Sequence, residues 1–480
     1  MKNYSLFVLT SLFLAVSACS VNPVTGKKQL VFMSEEQEIA LGKQADPSIV
    51  AMYSLYQDQQ LQNFINEKGQ QMAKISHRPH LNYEFKILDS PVVNAFALPG
   101  GYIYFTRGIL AHFNNEAEFA GVLGHEIGHV TARHGAIQQT QQTLGQILLI
   151  GGLIVSPAFR QFANEGMQAM QLLFLKNSRD HESQSDELGV EYSTEIGYDA
   201  RHMANFFKTL NNMRTGTESE TLPTFLSTHP DPLNRFQRVG ELAEQAQAQH
   251  PGMTFEVNRD SYLQMIDGII YGEDPKQGYV ENNTFYHPEL KFYFPIPNAW
   301  RTVNTPQQVQ MAPKDGKALM ILTLTQANSL EDAAKTIVEK HSLTVVEQKK
   351  LSLNGMDAYA MVADQTNQQT NESIRLLTYL ISYNGLIYTF HGVSLPTDFE
   401  KYLPSFNQTM RNFKVLRDAS KINVKPERIS IKLLSKSGTF QSALEDYRIP
   451  SDRHRELALI NGLDLKDQVS AGQYIKIVVK

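Results

Sequence analysis

Cysteine is almost missing from this chain. Cys19 is the only one in 480 residues, so no disulfide can form within the chain and the fold must rest on packing. Tryptophan is equally scarce, with Trp300 alone. No apolar run reaches the roughly 20 residues that a helix needs to cross a bilayer. A block of basic residues is also lacking: 44 Lys and Arg face 49 Asp and Glu, for a formal net charge of −5. Nothing in that balance points to nucleic acid as a partner. With 42% hydrophobic and 19% charged residues, the composition is that of a folded protein rather than a disordered one. The length predicts two to four domains.

What is present begins at the first residues. Lys2 precedes LFVLTSLFLAVSA, a short apolar stretch with small residues at its end. It has the length and flanks of a signal peptide, not of a spanning helix. Cys19 follows Val16-Ser17-Ala18, which looks like a bacterial lipobox. Residues 1–19 are therefore expected to be a lipoprotein signal with Cys19 as the lipidation site. Several acyl chains anchor far more firmly than one. Ser20 after the cysteine is similar to the sorting signal of outer-membrane lipoproteins, which would leave the rest of the chain in the periplasm.

The stretch GVLGHEIGHVTARHG, Gly121–Gly135, carries the first sign of chemistry. Asn114 or Asn115 can cap a helix there, Glu116 and Glu118 suit its positive end, and Gly135 is a plausible stop. On that helix His125 and His129 share a face, about 6 Å apart along the axis at ~1.5 Å per residue. Both can reach one metal ion. Glu126 lies at the edge of the same face, placed to act as a general base. Zinc favours such ligands, and a catalytic site uses three of them and keeps one position open. Farther on, NSRDHESQSDELG offers Glu182 and Asp186, again four apart. Two acids at that spacing repel unless a cation is near. Glu182 is the candidate third ligand. Asp186, one turn on, can hold a ligand histidine in its tautomer. The alternative is a solvated acidic face paired with Arg179.

Taken with NPVTGKKQLVFMSEEQEIALG, NAFALPGGYIYFTRGIL and LSTHPDPLNRF, these blocks resemble the gluzincin metallopeptidase family that includes the CAAX-prenyl endopeptidases and the HtpX-like proteases. They look most like its bacterial outer-membrane lipoprotein branch, and cover residues 22 to about 245. The resemblance implies one zinc per chain on His125, His129 and Glu182, with Glu126 as base and Asp186 as ligand orienter or proton donor. It places His229 near the zinc, either aiding the transition state or blocking the open position; a plain turn residue before Pro230 is the other reading. Arg235 is expected to brace the same loop, and His181 is a neighbour that could be confused with a ligand. Asn94, Ala95, Phe96 and Ala97 read as a strand that could take an extended peptide by β-addition. Relatives also have a helical hairpin near the apolar run Leu144–Val155.

Beyond residue 250 the pattern changes. Pro251–Gly278 reads as a connector. Strands then alternate with the helices LEDAAKTIVEKH and TDFEKYLPSFNQTMRNF, and the opening FPIPNAW resembles an α/β sandwich of the Mog/PsbP kind. Residues 425–480 read strand, helix, helix, strand, with turn residues placed as in a glycan-binding LysM module. Thr439 stands where such modules usually carry an acid.

The expected fold is therefore α+β and multidomain: a mainly helical zincin protease domain with a small edge β-sheet over residues 20–275, an α/β sandwich over 276–418, and a LysM-like βααβ domain over 425–480. The expected function is a zinc endopeptidase acting on extended or misfolded envelope proteins in the periplasm. Its expected partners are those substrates, the outer membrane through a lipid anchor, and peptidoglycan. The alternative is an assembly factor or scaffold whose zinc is silent.

Overall fold

A computed structural model of the chain describes residues 19–31, 33–141, 149–150, 153–154, 177–216, 225, 228–229, 232–366 and 372–480. The apolar stretch before Cys19 lies outside them, as does most of Leu144–Val155. The described residues form two compact units. One comprises those of 1–143, 168–272 and 427–480, the other those of 144–167 and 273–426.

In the first unit, Cys19–Val21 pairs with Lys28–Leu30 as a short antiparallel hairpin. Helix α1 (Glu35–Tyr53) starts at a reciprocal cap, Ser34 with Gln37. That arrangement satisfies two orphan backbone donors at once. Helix α2 (Gln59–Ile75) buries Leu61, Ile65 and Met72 along one side. A three-stranded sheet follows: β1 (Glu84–Leu88), β2 (Ala95–Leu98) and β3 (Tyr102–Thr106), with β3 in the middle. The parallel partner of β3 is β1, and β2 runs antiparallel to it at the edge.

Helix α3 (Glu116–Thr131) is buried over its whole length. Asn115 caps it, its side chain accepting from the Glu118 amide at 2.8 Å. The helix ends at Thr131, not Gly135 as expected. Arg133 adopts φ 61° and a new helix begins at His134. The end is clamped from outside: Arg78 Nη1 donates to Val130 O at 2.8 Å, and Glu38 accepts from both Arg78 and Arg133. A buried carboxylate shared by two guanidiniums meets the demand that buried charge be paired.

Across α3 lies α4 (Arg179–Glu195). Glycines set their closeness. A Cβ on Gly124 would come within 3.0 Å of Gly189 Cα, and one on Gly189 within 2.9 Å of Gly121 O. Only residues without side chains allow this approach, and it brings Glu182 and Asp186 opposite His125 and His129. Helices α5 (Arg201–Gly216) and α6 (Pro232–Ala248) complete the packing.

The stretch Pro251–Gly278, expected as a connector, is ordered in part, with helix Arg259–Met265 and strand Ile270–Tyr271. That strand pairs with Glu427–Leu433, which pairs in turn with Tyr474–Val479. Helices Phe440–Asp446 and His454–Ile460 lie between the last two strands. Ile429, Leu444, Leu457 and Ile477 share one hydrophobic core with Phe113, Phe119 and Phe206. The boundary expected at residue 425 thus falls where the second unit ends and the first resumes, and residues 427–480 pack into the core of the first unit. Lys476 shows why: its fully buried ammonium donates to Ala111 O at 2.9 Å and Phe113 O at 2.8 Å, just before α3.

The second unit is built on a seven-stranded antiparallel sheet. Its strands run in the order 300–304, 308–313, 318–325, 386–394, 373–383, 356–366 and 344–353. Phe292, Phe294, Phe390, Phe406 and Phe413 fill its core with helix Phe399–Met410. The strand pair expected around Lys314-Asp315-Gly316 and the helix Leu330–His341 are both present. Leu149–Ile150 and Leu153–Ile154 pair as two short antiparallel strands where a helical hairpin was the expectation. Among the described residues no helix is long and apolar enough to cross a membrane.

Candidate metal centre

His125, His129, Glu182 and His229 meet at one buried point of the first unit. Each offers a ligand atom, and these atoms all lie within 4.8 Å of one another. His125 Nε2 is 3.0 Å from His129 Nε2 and 3.6 Å from Glu182 Oε2, and His129 Nε2 is 3.4 Å from Glu182 Oε1. Zinc with ligands at about 2.0–2.1 Å in a tetrahedron separates them by about 3.3–3.4 Å. The three expected ligands therefore fit one ion.

The protons argue the same way. His125 Nδ1 sits 3.0 Å from Asp186 Oδ1. The ring proton belongs on that nitrogen, where a carboxylate can accept it, which leaves Nε2 bare. His129 Nε2 points at it from 3.0 Å. With His125 Nε2 bare, either His129 Nε2 donates a proton to it or a cation lies between the two.

Glu126 is buried beside this group, and neither of its oxygens has a hydrogen-bond partner among the described residues. His229 Nε2 lies 3.7 Å from its Oε1. Burial pushes the Glu126 carboxyl up, against the pull of His229 and His125. A buried carboxylate left this way is costly. It is placed to take a proton from something the polypeptide does not itself provide.

The acids on α4 are not a solvated face. Glu182 and Asp186 are buried, while Arg179 is exposed. Burial alone would raise the Glu182 carboxyl, but His229 and Arg235 outweigh it and hold it well below the usual carboxylate range. Asp186 is likewise held low against burial, chiefly by Arg235. Arg235 donates to Asp186 Oδ2 at 2.9 Å and Oδ1 at 2.6 Å, and its Nη1 lies 2.8 Å from Glu182 Oε2. Arg235 thus pins the two acids of α4, while residues 226–227 and 230–231 of the loop it is expected to brace lie outside the described residues.

His229 Nδ1 lies 3.0 Å from Glu182 Oε1 and 3.2 Å from His125 Nε2. Glu182 and Glu126 raise its pKa against the effect of burial. Its ring stacks on Phe225 at 4.4 Å, and the Phe225 amide donates to Val93 O, next to Asn94. His181 stays out of the ligand group and stacks on His134. The reading of the sequence passed over His134 and Gln184, although His134 stands inside the stretch that drew attention first. Asn94 precedes edge strand β2, which holds Ala95, Phe96 and Ala97.

A buried cluster of two histidines from one helix, a glutamate from another and a free glutamate beside them defines a metal-dependent hydrolase site. Comparison with known proteins narrows the class. Residues 59–243 match the model of Peptidase family M48. The mitochondrial metalloendopeptidase OMA1 of Arabidopsis thaliana is 33% identical over 187 residues, 38% of this chain and 36% of that protein. The beta-barrel assembly-enhancing protease of Yersinia pestis is 27% identical over 237 residues, 48% of each chain. The chain thus spans between about a third and a half of these relatives. Their match supports a zinc metalloprotease. Among solved structures, cyanobacterial PsbP from Synechocystis aligns with 28% of this chain and 91% of its own, at 12% identity and a TM-score of 0.23. A score that low decides nothing about the second unit.

Proposed function

We propose that the chain is a zinc endopeptidase of the Gram-negative envelope, with His125, His129 and Glu182 holding the metal. The observation that carries the proposal is the buried meeting of those groups beside Glu126, a carboxylate whose oxygens lack hydrogen-bond partners. Zinc supplies Lewis-acid polarisation of the scissile carbonyl. Glu126 takes a proton from the attacking water and hands it to the departing amine nitrogen. Asp186 holds the proton of His125 on Nδ1, and Arg235 keeps Asp186 and Glu182 ionised. The substrate enters as an extended strand beside β2, which packs near α3 and has no partner on its outer side among the described residues. Backbone pairing there tolerates varied sequences.

His229 would help to hold the metal and would have to give way for substrate. Its nearness to both Glu182 and His125 supports this. The same nearness favours a second reading, since a zinc closed by four protein ligands is usually structural. In that case the chain acts as an assembly factor or scaffold.

The address belongs to this proposal too: lipidation at Cys19, attachment to the outer membrane, and substrates among extended or misassembled envelope proteins. The lipobox-like Val16-Ser17-Ala18-Cys19 and the similarity to a beta-barrel assembly-enhancing protease support it. Residues 425–480 are proposed as LysM-like, with peptidoglycan as their ligand, on their strand, helix, helix, strand order.

The test compares casein cleavage by residues 20–480 with that by Glu126→Gln, with zinc content measured for both. The expected result is zinc in both and a loss of about 10²–10⁴-fold in cleavage for the variant. Equal cleavage would exclude the enzyme. A rise in cleavage on His229→Ala would separate a withdrawing fourth ligand from a silent site.

A further inference from the structure

We propose that His134 is a positioning residue for this site: it fixes the tautomer of His129 and so turns the His129 Nε2 lone pair toward the metal. The inference rests on the zinc reading above and concerns a residue that reading does not use.

The geometry begins with the break in the chain after α3. Arg133 takes φ 61°, and the next helix, His134–Gln141, begins at once. The turn folds His134 back onto the ring that precedes it by five residues. His129 Nδ1 and His134 Nδ1 lie 2.9 Å apart, with ring centroids 5.0 Å apart at 71°. One of these nitrogens must carry a proton and the other must not.

The far side of His134 decides which. Its Nε2 lies 3.0 Å from Gln184 Oε1, an acceptor on α4. The His134 proton therefore sits on Nε2, and its Nδ1 is left as an acceptor. Ser185 Oγ at 3.3 Å can donate to that same nitrogen. It follows that His129 carries its proton on Nδ1 and donates it to His134. His129 Nε2, the atom 3.0 Å from His125 Nε2, is then bare. The reverse arrangement would put a proton on His129 Nε2 and forbid ligation.

His134 is buried, and His181 stacks on it with centroids 4.2 Å apart at 15°. The stack holds the ring plane while Gln184 holds the proton. The two ligand histidines are thus oriented by different acceptors: Asp186, a carboxylate, for His125, and a neutral imidazole for His129. Partners of this kind typically contribute 10–100-fold in metal affinity.

The test measures zinc affinity of the purified full chain against a chromophoric chelator, and the visible spectrum of the cobalt-substituted protein. His134→Phe keeps the stack on His181 and removes the acceptor. His134→Gln restores an acceptor oxygen. The expected result is zinc bound about 10–100-fold more weakly by His134→Phe, with an altered cobalt spectrum, and most of that loss recovered by His134→Gln. Equal affinity in wild type and His134→Phe overturns the inference, and so does an equal loss in both variants, since an acceptor at this position would then make no difference. Should His134→Phe fail to fold, Gln184→Leu decides, since it removes the acceptor that sets the His134 proton. A severalfold weaker affinity is expected there, and an unchanged one overturns the inference. A wild-type chain that binds no zinc refutes the metal reading itself, which is a different outcome.

Discussion

The two units bury polar groups in opposite ways. In the first, buried charge is concentrated: Glu126, Glu182, Asp186, His125, His129, His229 and Arg235 crowd around one point, and Glu38, Arg78 and Arg133 clamp the end of the helix that supplies it. In the second, buried polar residues are scattered through an aromatic and aliphatic core. His391 meets Thr378 Oγ1 at 2.9 Å, and Gln310 has neither amide atom hydrogen-bonded among the described residues. Concentrated, mutually compensating charge is expensive to assemble and is found where it performs chemistry. Scattered polar groups are tolerated by a scaffold. The contrast assigns the reaction to the first unit.

Removing the metal should break that contrast most severely. Chelation with EDTA is expected to abolish casein cleavage, and added zinc to restore it. Cleavage that survives chelation would place the chemistry elsewhere.

Next in size is the loss of one partner from the buried charge cluster. Arg235→Met leaves Asp186 and Glu182 without their guanidinium and should destabilise the first unit by about 3–5 kcal/mol. Hydrogen exchange read peptide by peptide should show the loss across 59–250 and leave the sheet of 300–394 unchanged. Equal loosening of both would mean that the units do not differ as described.

Acid provides a sharper comparison for the second unit. Burial holds the His391 imidazole down at about 3, with His341 and Lys340 adding to the effect. The unfolded chain, with an ordinary histidine, binds more protons between that value and about 6.5. Stability from the neutral ring is therefore complete above about pH 6.5 and is lost as pH falls toward the folded value. By pH 4.5 the loss is about 3 kcal/mol, from ~1.4 kcal/mol per pH unit. His391→Gln should flatten this dependence in the exchange of 373–394, and an unchanged slope would assign it to other groups.

The smallest effect concerns the C-terminal segment. Lys476→Met strands the Ala111 and Phe113 carbonyls, for about 1–3 kcal/mol. The loosening should appear in 105–131 as well as in 427–480. Confinement to 427–480 would mean that this segment behaves as a separate domain after all.

The chemistry was the most legible part of the sequence. His125, Glu126 and His129 fall on one capped helix, and Glu182 and Asp186 repeat the four-residue spacing, so local periodicity marks both groups, and the resemblance to the gluzincin family carries the expectation that they meet. What could not be read depends on approach between distant segments. Arg235 could be placed near the site, but not on Asp186 and Glu182, because its reach is set by how α6 crosses α4. His134 lies five residues from His129, off the helical face that periodicity inspects, and meets it only because the chain turns at Arg133. Lys476 sits in a strand where a lysine reads as solvent-facing. Its burial follows from the carbonyls waiting at Ala111 and Phe113, which no pattern in residues 425–480 announces.

Metal analysis of the purified full chain beside His129→Ala and Glu182→Gln tests the central claim most directly. The account predicts about one zinc per wild-type chain, as expected of a single site, and little in either variant although both remain folded. A folded wild-type protein without zinc, or variants that retain it in full, would contradict it.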